Sequence, residues 1–304
     1  MESPGRWLTI AVKKAALAAG YIFFLLHSRH RRAFLFIGRL FGDLIYFFIR
    51  KRRLVVYANI IGTIGKTWPR HKVQTLVREC YRNLALNFIE FLTFPWQTKR
   101  SINSFVHARG TEVYEPLLAE KKGSILLTAH FGNWEILGAW LGFNGYPLHA
   151  MNKKQKGIFA NLVTEYREMC HINLVFKGSF LKGAMKCLKN GGILGMLADQ
   201  GNGKLVSFMG KKTGMPYGPA SFARKFNAPV IPVFSRRLSN GDHEIIAGPP
   251  IEIVKTGDSE KDNYINTVKF TKKIEQFIIK YPADWFWFHK MFKDLLVPFK
   301  NKKL

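Results

Sequence analysis

From residue 123 onward, short apolar runs alternate with segments of helical period, and this alternation limits the fold more than any other feature of the chain. Ser124-Ile125-Leu126-Leu127-Thr128 reads as a buried strand, and 135–141 as the helix that follows it. Further strand-like runs fall at 146–151, 173–176, 192–198, 228–235 and 243–247. Helical segments fall at 158–169, 180–189, 220–226 and 263–280. Pro229 and Pro232 suggest irregular or edge pairing for the 228–235 strand. The expected fold class is α/β, with a mixed, largely parallel sheet flanked by helices. Ligands of such sheets sit beyond the carboxyl ends of the strands. His130 and Asp199 both lie at such ends.

The first hundred residues form a separate compositional zone. They hold 18 Lys and Arg against 4 Asp and Glu, in a chain of 304 residues with formal charge +27. Residues 15–26 are free of charge, with Lys13-Lys14 before them and Arg29, Arg31 and Arg32 after. A second apolar block, 33–49, is broken by Arg39 and Asp43 and closed by Arg50-Lys51-Arg52-Arg53. Neither block reaches the ~20 clean apolar residues of a membrane-spanning helix. Extending the first back to Leu8 places two lysines inside it, which would snorkel or keep the helix in the interface. The alternative is an amphipathic helical pair covering a core. Alternation of apolar blocks with basic clusters favours an N-terminal membrane-associated helical segment, 1–70, ahead of a main domain, 71–304. Residues 70–95 read as one further helix, which Pro95 ends.

A surface this basic suits a polyanion: nucleic acid, an anionic membrane or an acidic protein. No nucleic-acid motif is present, so a nucleic-acid partner is not expected. Cys80, Cys170 and Cys187 are scattered and make neither a disulfide framework nor a Cys-x-x-Cys site.

Chemistry points to His130-Phe131-Gly132-Asn133-Trp134-Glu135. A His at a strand end can face a cleft above the sheet, and a Glu one turn later can fold back onto the imidazole. His130 would then act as general base on a hydroxyl attacking a carbonyl. Glu135 would accept a bond from the other ring nitrogen and favour the imidazolium. No enzyme nucleophile is required, and no Gly-x-Ser-x-Gly elbow is present. A packed or surface histidine is the bland alternative for the bare spacing. Zinc is not expected, because the helical His-Glu-x-x-His spacing is absent.

The same six residues resemble the signature of the lipid A biosynthesis acyltransferases, the lauroyl and myristoyl transferase family. These sit within the lysophospholipid acyltransferase group, whose motif is His, four residues, then Asp or Glu. Other segments match that family in order. They are Tyr81-Arg82-Asn83-Leu84 with Glu90, Asn152-Lys153, Arg167, Ala198-Asp199-Gln200, Phe208-Met209-Gly210 with Gly218-Pro219-Ala220, Val230-Ile231-Pro232-Val233-Phe234 with Arg236, and Tyr281 through Lys290. The resemblance covers roughly 75–290. Lys290 stands where the family usually has Arg, and Lys204-Leu205-Val206-Ser207 replaces a more apolar stretch.

The resemblance implies acyl transfer from an acyl thioester to a hydroxyl of a glycolipid, without a covalent acyl-enzyme, at the cytoplasmic face of the inner membrane. The expected donor is acyl carrier protein, with coenzyme A as the alternative, and no cofactor or metal is required. The expected acceptor is a lipid A precursor, with a mannosylated phosphatidylinositol as runner-up. Catalysis falls to His130 and Glu135. Substrate binding falls to Asn133, Asn152, Lys153, Arg167, Asp199, Gln200 and Arg236, with Arg167 and Lys153 meeting phosphate or the thioester carbonyl, Gln200 donating to an oxyanion and Arg236 with Arg237 meeting phosphate. The alternatives are a helix-start bond for Asn133, a structural turn for Asp199, solvated salt bridges for Arg167 and Lys153, and water for Arg236 and Arg237. A thioesterase on the same site and a non-catalytic basic lipid-binding membrane protein are the readings of other classes.

Overall fold

In the computed structural model, which describes residues 4–152, 157–201, 203–292 and 295, the apolar runs assemble into one seven-stranded sheet. The strands are β1 (Val106–Arg109), β2 (Ser124–Thr128), β3 (Leu148–Asn152), β4 (Asn173–Phe176), β5 (Ile193–Leu197), then β8 (Val230–Arg237) and β9 (His243–Ala247). Between them, β6 (Leu205–Phe208) and β7 (Lys211–Gly214) form a separate antiparallel hairpin. The sheet order is β1-β9-β8-β2-β5-β3-β4, and every neighbouring pair is parallel except β8 with β9. The mixed, largely parallel sheet is therefore as the sequence leads one to expect. β2 lies at the middle and is buried along its whole length, which is why it reads as an unbroken apolar run.

The two prolines do not mark an edge. β8 lies inside the sheet, between β9 and β2. The Pro232 carbonyl accepts from the Gly248 amide on the β9 side. A strand residue points its N–H and C=O to the same side, so the missing N–H faces the chain just past Ala247, where β9 has ended. No ladder bond is lost, and an interior strand tolerates the ring.

Eleven α-helices surround the sheet among the described residues: α1 (Pro4–Arg29), α2 (Arg31–Phe48), α3 (Arg50–Ile61), α4 (Arg70–Leu92), α5 (Lys99–Asn103), α6 (Glu115–Ala119), α7 (Trp134–Phe143), α8 (Ile158–Met169), α9 (Phe180–Lys189), α10 (Gly218–Phe226) and α11 (Ser259–Lys280). Alternate side chains of β2 enter two cores. Ile125 and Leu127 pack with residues of α4, α9, α10 and α11, whereas Leu126 packs with α7 and α8. The chain after α11 crosses back over the first core. Trp287 is fully buried there, and its carbonyl accepts from Asn59 Nδ2 of α3 at 2.8 Å.

The N-terminal helices lie on α4. A Cβ at Gly42 of α2 would stand 2.5 Å from the Cα of Arg82, so only glycine permits this approach. Asp43 beside it accepts from Arg78 and Arg82 at 2.7–2.8 Å. Lys13 of α1 pairs with Glu165 of α8 at 2.5 Å. Thr9–Arg29 of α1 is long and apolar enough to cross a membrane, with mean hydropathy 1.6. α2 turns Phe36, Leu40, Phe41, Leu44, Phe47 and Phe48 outward, with Phe48 73 % exposed. Basic clusters bracket this apolar face at both ends.

Candidate active site

Strand register builds the centre of the site. Thr128, the last residue of β2, pairs with Leu197, the last residue of β5. His130 and Asp199 each follow two residues later, so the parallel ladder delivers them side by side. His130 Nδ1 lies 2.9 Å from Asp199 Oδ1, and the His130 backbone N–H donates to Oδ2 at 3.1 Å. Trp285 Nε1 donates to the same Oδ2 at 2.9 Å. Asp199 is wholly buried. Burial alone would raise its pKa, but the charge of His130 and the bonds from the imidazole, Trp285 and the His130 amide outweigh it and hold the pKa below the usual value. Burial likewise opposes charge on His130, yet the Asp199 charge and hydrogen bond, helped by Glu135, leave the imidazole pKa raised.

This corrects the expected partner of the imidazole, because Glu135 does not bond the ring. Its Oε2 accepts from Arg167 Nε at 2.9 Å, its Oε1 from Arg167 Nη2 at 2.5 Å, and Oε1 also from Trp134 Nε1 at 3.0 Å. The physical cause is the helix that Glu135 opens. In the first turn of α7 the carboxylate is directed at α8, where a cation awaits it. Arg167 is itself held charged by Glu135 against the cost of burial. With Nδ1 engaged, Nε2 lies on the free edge of the ring and has no hydrogen-bond partner among the described residues; the His130 side chain is 30 % exposed.

The turn is locked from behind. Gly132 has φ +58°, and a Cβ there would stand 1.8 Å from the Ser235 carbonyl oxygen, so the position requires glycine. Asn133 caps α7 by accepting from the amides of Glu135 and Ile136, both at 3.1 Å, and it donates to Glu90 Oε2 at 2.7 Å. Glu90, buried on α4, also receives Arg237 and lies 3.0 Å from His243 Nε2. Burial opposes its charge, but Arg237 and His243 overcome this and hold its pKa well below the ordinary range. Asn87 Nδ2 donates to the Gly132 carbonyl at 2.6 Å, and Arg237 Nη2 donates to Asn87 Oδ1 at 2.8 Å.

The remaining expected residues divide. Asn133 and Asp199 are buried and used up by protein bonds, so they build the site rather than face a ligand. Arg167 lies with Glu135 at an apolar cavity of about 60 Å³ between the sheet and α7, lined also by Leu126, Leu137, Gly138 and Leu148. Gln200 follows Asp199, and its Nε2 is buried without a hydrogen-bond partner among the described residues. Arg236 stacks over the Tyr281 ring at 4.1 Å, in a different cleft from the imidazole. Asn152 ends β3, but its side chain, like all of Lys153, lies outside the described residues.

Trp134 ties these parts together. Its ring stands edge-on to His130, 5.1 Å between centroids, and it lines both the apolar cavity and a narrow crevice on the side of Gly132 and Phe286. The three thiols are buried, and burial pushes each of them up, Cys187 to about 12, so none is a ready thiolate. Sequence reasoning assigned no chemistry to Trp285 or Glu90, and it gave Arg237, like Arg236, a phosphate or water to face, whereas Arg237 turns inward to Glu90 and Asn87. The available signal for Glu90 was a carboxylate inside the apolar stripe of α4, next to Ile89 and Phe91.

The chain is also similar to known proteins along most of its length. A model of the bacterial lipid A biosynthesis acyltransferases matches residues 4–294. The chain is 22% identical to the lipid A biosynthesis lauroyltransferase of Escherichia coli K12 over 259 residues, covering 83% of this chain and 82% of that protein. It is 28% identical to a phosphatidylinositol mannoside acyltransferase of Mycolicibacterium smegmatis over 237 residues, 75% of each chain. Among solved structures, the 1-acyl-sn-glycerophosphate acyltransferase PlsC of Thermotoga maritima matches 78% of this chain and 98% of its own, with 15% identity and a TM-score of 0.38.

Proposed function

The chain belongs to the bacterial lipid A biosynthesis acyltransferase family and is an O-acyltransferase, and from that premise we propose how and on what it acts. His130 Nε2 takes the proton of a lipid hydroxyl as that oxygen attacks the carbonyl of an acyl thioester. Asp199 fixes the tautomer through Nδ1 and favours the imidazolium that forms. The tetrahedral intermediate then collapses, the thiolate leaves with the proton from His130, and an ester remains. Arg167, held by Glu135, lies where an anionic oxygen would develop or a donor phosphate would pass, and Gln200 Nε2 is a further donor for that oxygen. The acyl chain enters the apolar cavity under α7. The single observation that carries this proposal is the Nδ1 bond of His130 to Asp199 with Nε2 left facing the open side.

Acyl carrier protein is the favoured donor, as the family resemblance implies; the formal charge of +27 suits this acidic protein and the polyanionic coenzyme A alike. A lipid A precursor is the favoured acceptor, on the named activity of the E. coli relative. A phosphatidylinositol mannoside with acyl coenzyme A is the second reading, favoured by the higher identity to the mycobacterial relative. The outward apolar face of α2, bracketed by arginines and lysines, lies on an anionic leaflet, the cytoplasmic one, and α1 lies beside it.

Purified protein mixed with acyl carrier protein thioester or acyl coenzyme A, with and without each glycolipid, tests all of this by mass spectrometry. Acceptor-dependent ester formation that disappears in His130→Ala is expected. Free fatty acid alone would make the enzyme a thioesterase, and normal turnover by His130→Ala would remove the assigned base.

A further inference from the structure

Across the 283–286 segment from His130 lies a second cavity, of about 400 Å³, open between α2, α4 and the carboxyl ends of β8 and α11. Five cations line it, Arg39, Arg82, Arg236, Arg237 and Lys280, against the carboxylates of Glu79 and Asp284. Three of the five are already matched. Arg39 pairs with Glu79, Arg82 with Asp43 and Glu79, and Arg237 with buried Glu90.

Arg236 and Lys280 are different. Arg236 faces two carboxylates without hydrogen-bonding either: Glu244, at 3.7 Å, and Asp284, whose burial raises its pKa to about 6; the Arg236 Nε is buried with no hydrogen-bond partner among the described residues. Lys280 makes no ion pair among the described residues. Both cations lie over one ring, Tyr281, at 4.1 and 5.2 Å from its centroid. The buried, unsatisfied Nε of Arg236 is costly as it stands, and the ammonium of exposed Lys280 over the same ring adds positive charge that a visiting anion would match.

We propose that this cleft binds a phosphate group of the lipid acceptor, with Arg236 and Lys280 as its principal ligands; this rests on the acyl-transfer function proposed above. A phosphate offers several acceptor oxygens to the guanidinium and ammonium donors at once. Two features point to a lipid as its bearer. The outer wall is Leu35 and Arg39 of α2, the helix whose adjoining face turns Phe36 and Leu40 to the exterior. The inner wall, Ala283 and Asp284, is shared with the crevice that reaches Gly132 and Trp134 beside the imidazole. A lipid sliding in along α2 thus leaves its phosphate in the cleft and brings its headgroup hydroxyl toward His130 Nε2. The apolar cavity on the other side of Trp134 stays available to the acyl donor.

The test compares a phosphorylated glycolipid acceptor with its dephosphorylated form in detergent micelles, using wild type, Lys280→Gln and Arg236→Gln/Lys280→Gln. Lys280 is exposed, so the single variant keeps the test valid where the double one folds poorly. For the phosphorylated acceptor KM is expected to rise about tenfold in the double variant, with a smaller rise in the single one, and for the dephosphorylated acceptor KM stays within about twofold. Equal changes with both acceptors, or none with either, overturn the proposal. So does loss of binding to phosphatidylglycerol vesicles with the acceptor KM unmoved, which would assign the cleft to bulk anionic lipid. Wild type that acylates neither acceptor would end the acyl-transfer function instead. Equilibrium binding of the two glycolipids to wild type and variants would then still decide the cleft, by whether wild type prefers the phosphorylated form and the variants do not.

Discussion

Asp199 and His130 each stand two residues past the end of a strand, on neighbouring parallel strands in register, and they meet at 2.9 Å. Asp199→Asn keeps the shape and removes the charge. The amide can present a donor to Nδ1 and favour the wrong tautomer, so kcat should fall by ~10²–10⁴. The direction of the pH shift follows from the charge. Asp199 raises the His130 pKa, so its loss lowers that pKa, and the neutral base persists to lower pH. The acid limb of kcat/KM, followed from pH 5 to 9, should move to lower pH as the maximum drops. An unmoved limb would separate Asp199 from the titration of His130.

Glu135 and Arg167 form a bidentate pair whose side chains are only 17% and 19% exposed. Removing one partner strands the other, at a cost of roughly 2 kcal/mol once partial solvent exposure is allowed for. Glu135→Gln and Arg167→Gln should each lower the urea midpoint. The double variant should lose less than the sum, with a coupling of about 1 kcal/mol or more. Additive losses would mean the pair contributes little to the folded state. Glu135→Gln should also depress turnover, by way of Arg167 rather than by direct contact with the imidazole.

Glu90 ties α4, β8, β9 and the active-site turn together while 2% exposed. Glu90→Gln leaves the Arg237 charge buried and poorly matched, and stability should fall by about 3–5 kcal/mol. The carboxyl pKa is lower folded than unfolded. Its contribution is therefore fully present above the unfolded value of about 4.3 and is lost as pH falls below it. Wild type should lose stability on acidification through that range, and Glu90→Gln should show a shallower loss. Parallel curves in chemical denaturation between pH 3 and 6 would place the acid sensitivity elsewhere.

How much of this was legible follows from what each signal encodes. β2 and β5 were readable because strands covered on both faces are apolar without interruption. β1, Val106-His107-Ala108-Arg109, lies at the sheet edge with alternating exposure and too little apolar content to stand out. The β6–β7 hairpin was hidden in polar sequence, although Met209 and Gly210 both have positive φ, as a two-residue turn requires. At the site, spacing identified the turn and both its ionisable residues but not their partners. Residues five apart share a turn, whereas the contact of His130 with Asp199 spans 69 positions and depends on β2 lying beside β5. Arg237 differs from Arg236 only in pointing inward to Glu90, which two adjacent arginines at a strand end do not declare.

Gly138 gives the most direct handle on which acyl chain is used. It lies on α7 where that helix roofs the apolar cavity. A Cβ there would meet Ile172 Cδ1 at 3.0 Å and Leu148 Cδ2 at 3.8 Å, both ends of flexible side chains. The backbone φ at Gly138 is not in the left-handed region, so alanine is compatible with the helix and favoured by propensity. Gly138→Ala should therefore fold normally while removing about one methyl group of space from the cavity. Each methylene that no longer fits changes discrimination by ~10–200-fold. The ratio of kcat/KM for a longer to a shorter acyl thioester should then fall by about tenfold, with the shorter donor nearly unaffected. Thioesters of ten to fourteen carbons, assayed against one acceptor, check this. An unchanged chain-length profile would show that the acyl chain is housed elsewhere and that the cavity beneath α7 is only a packing void.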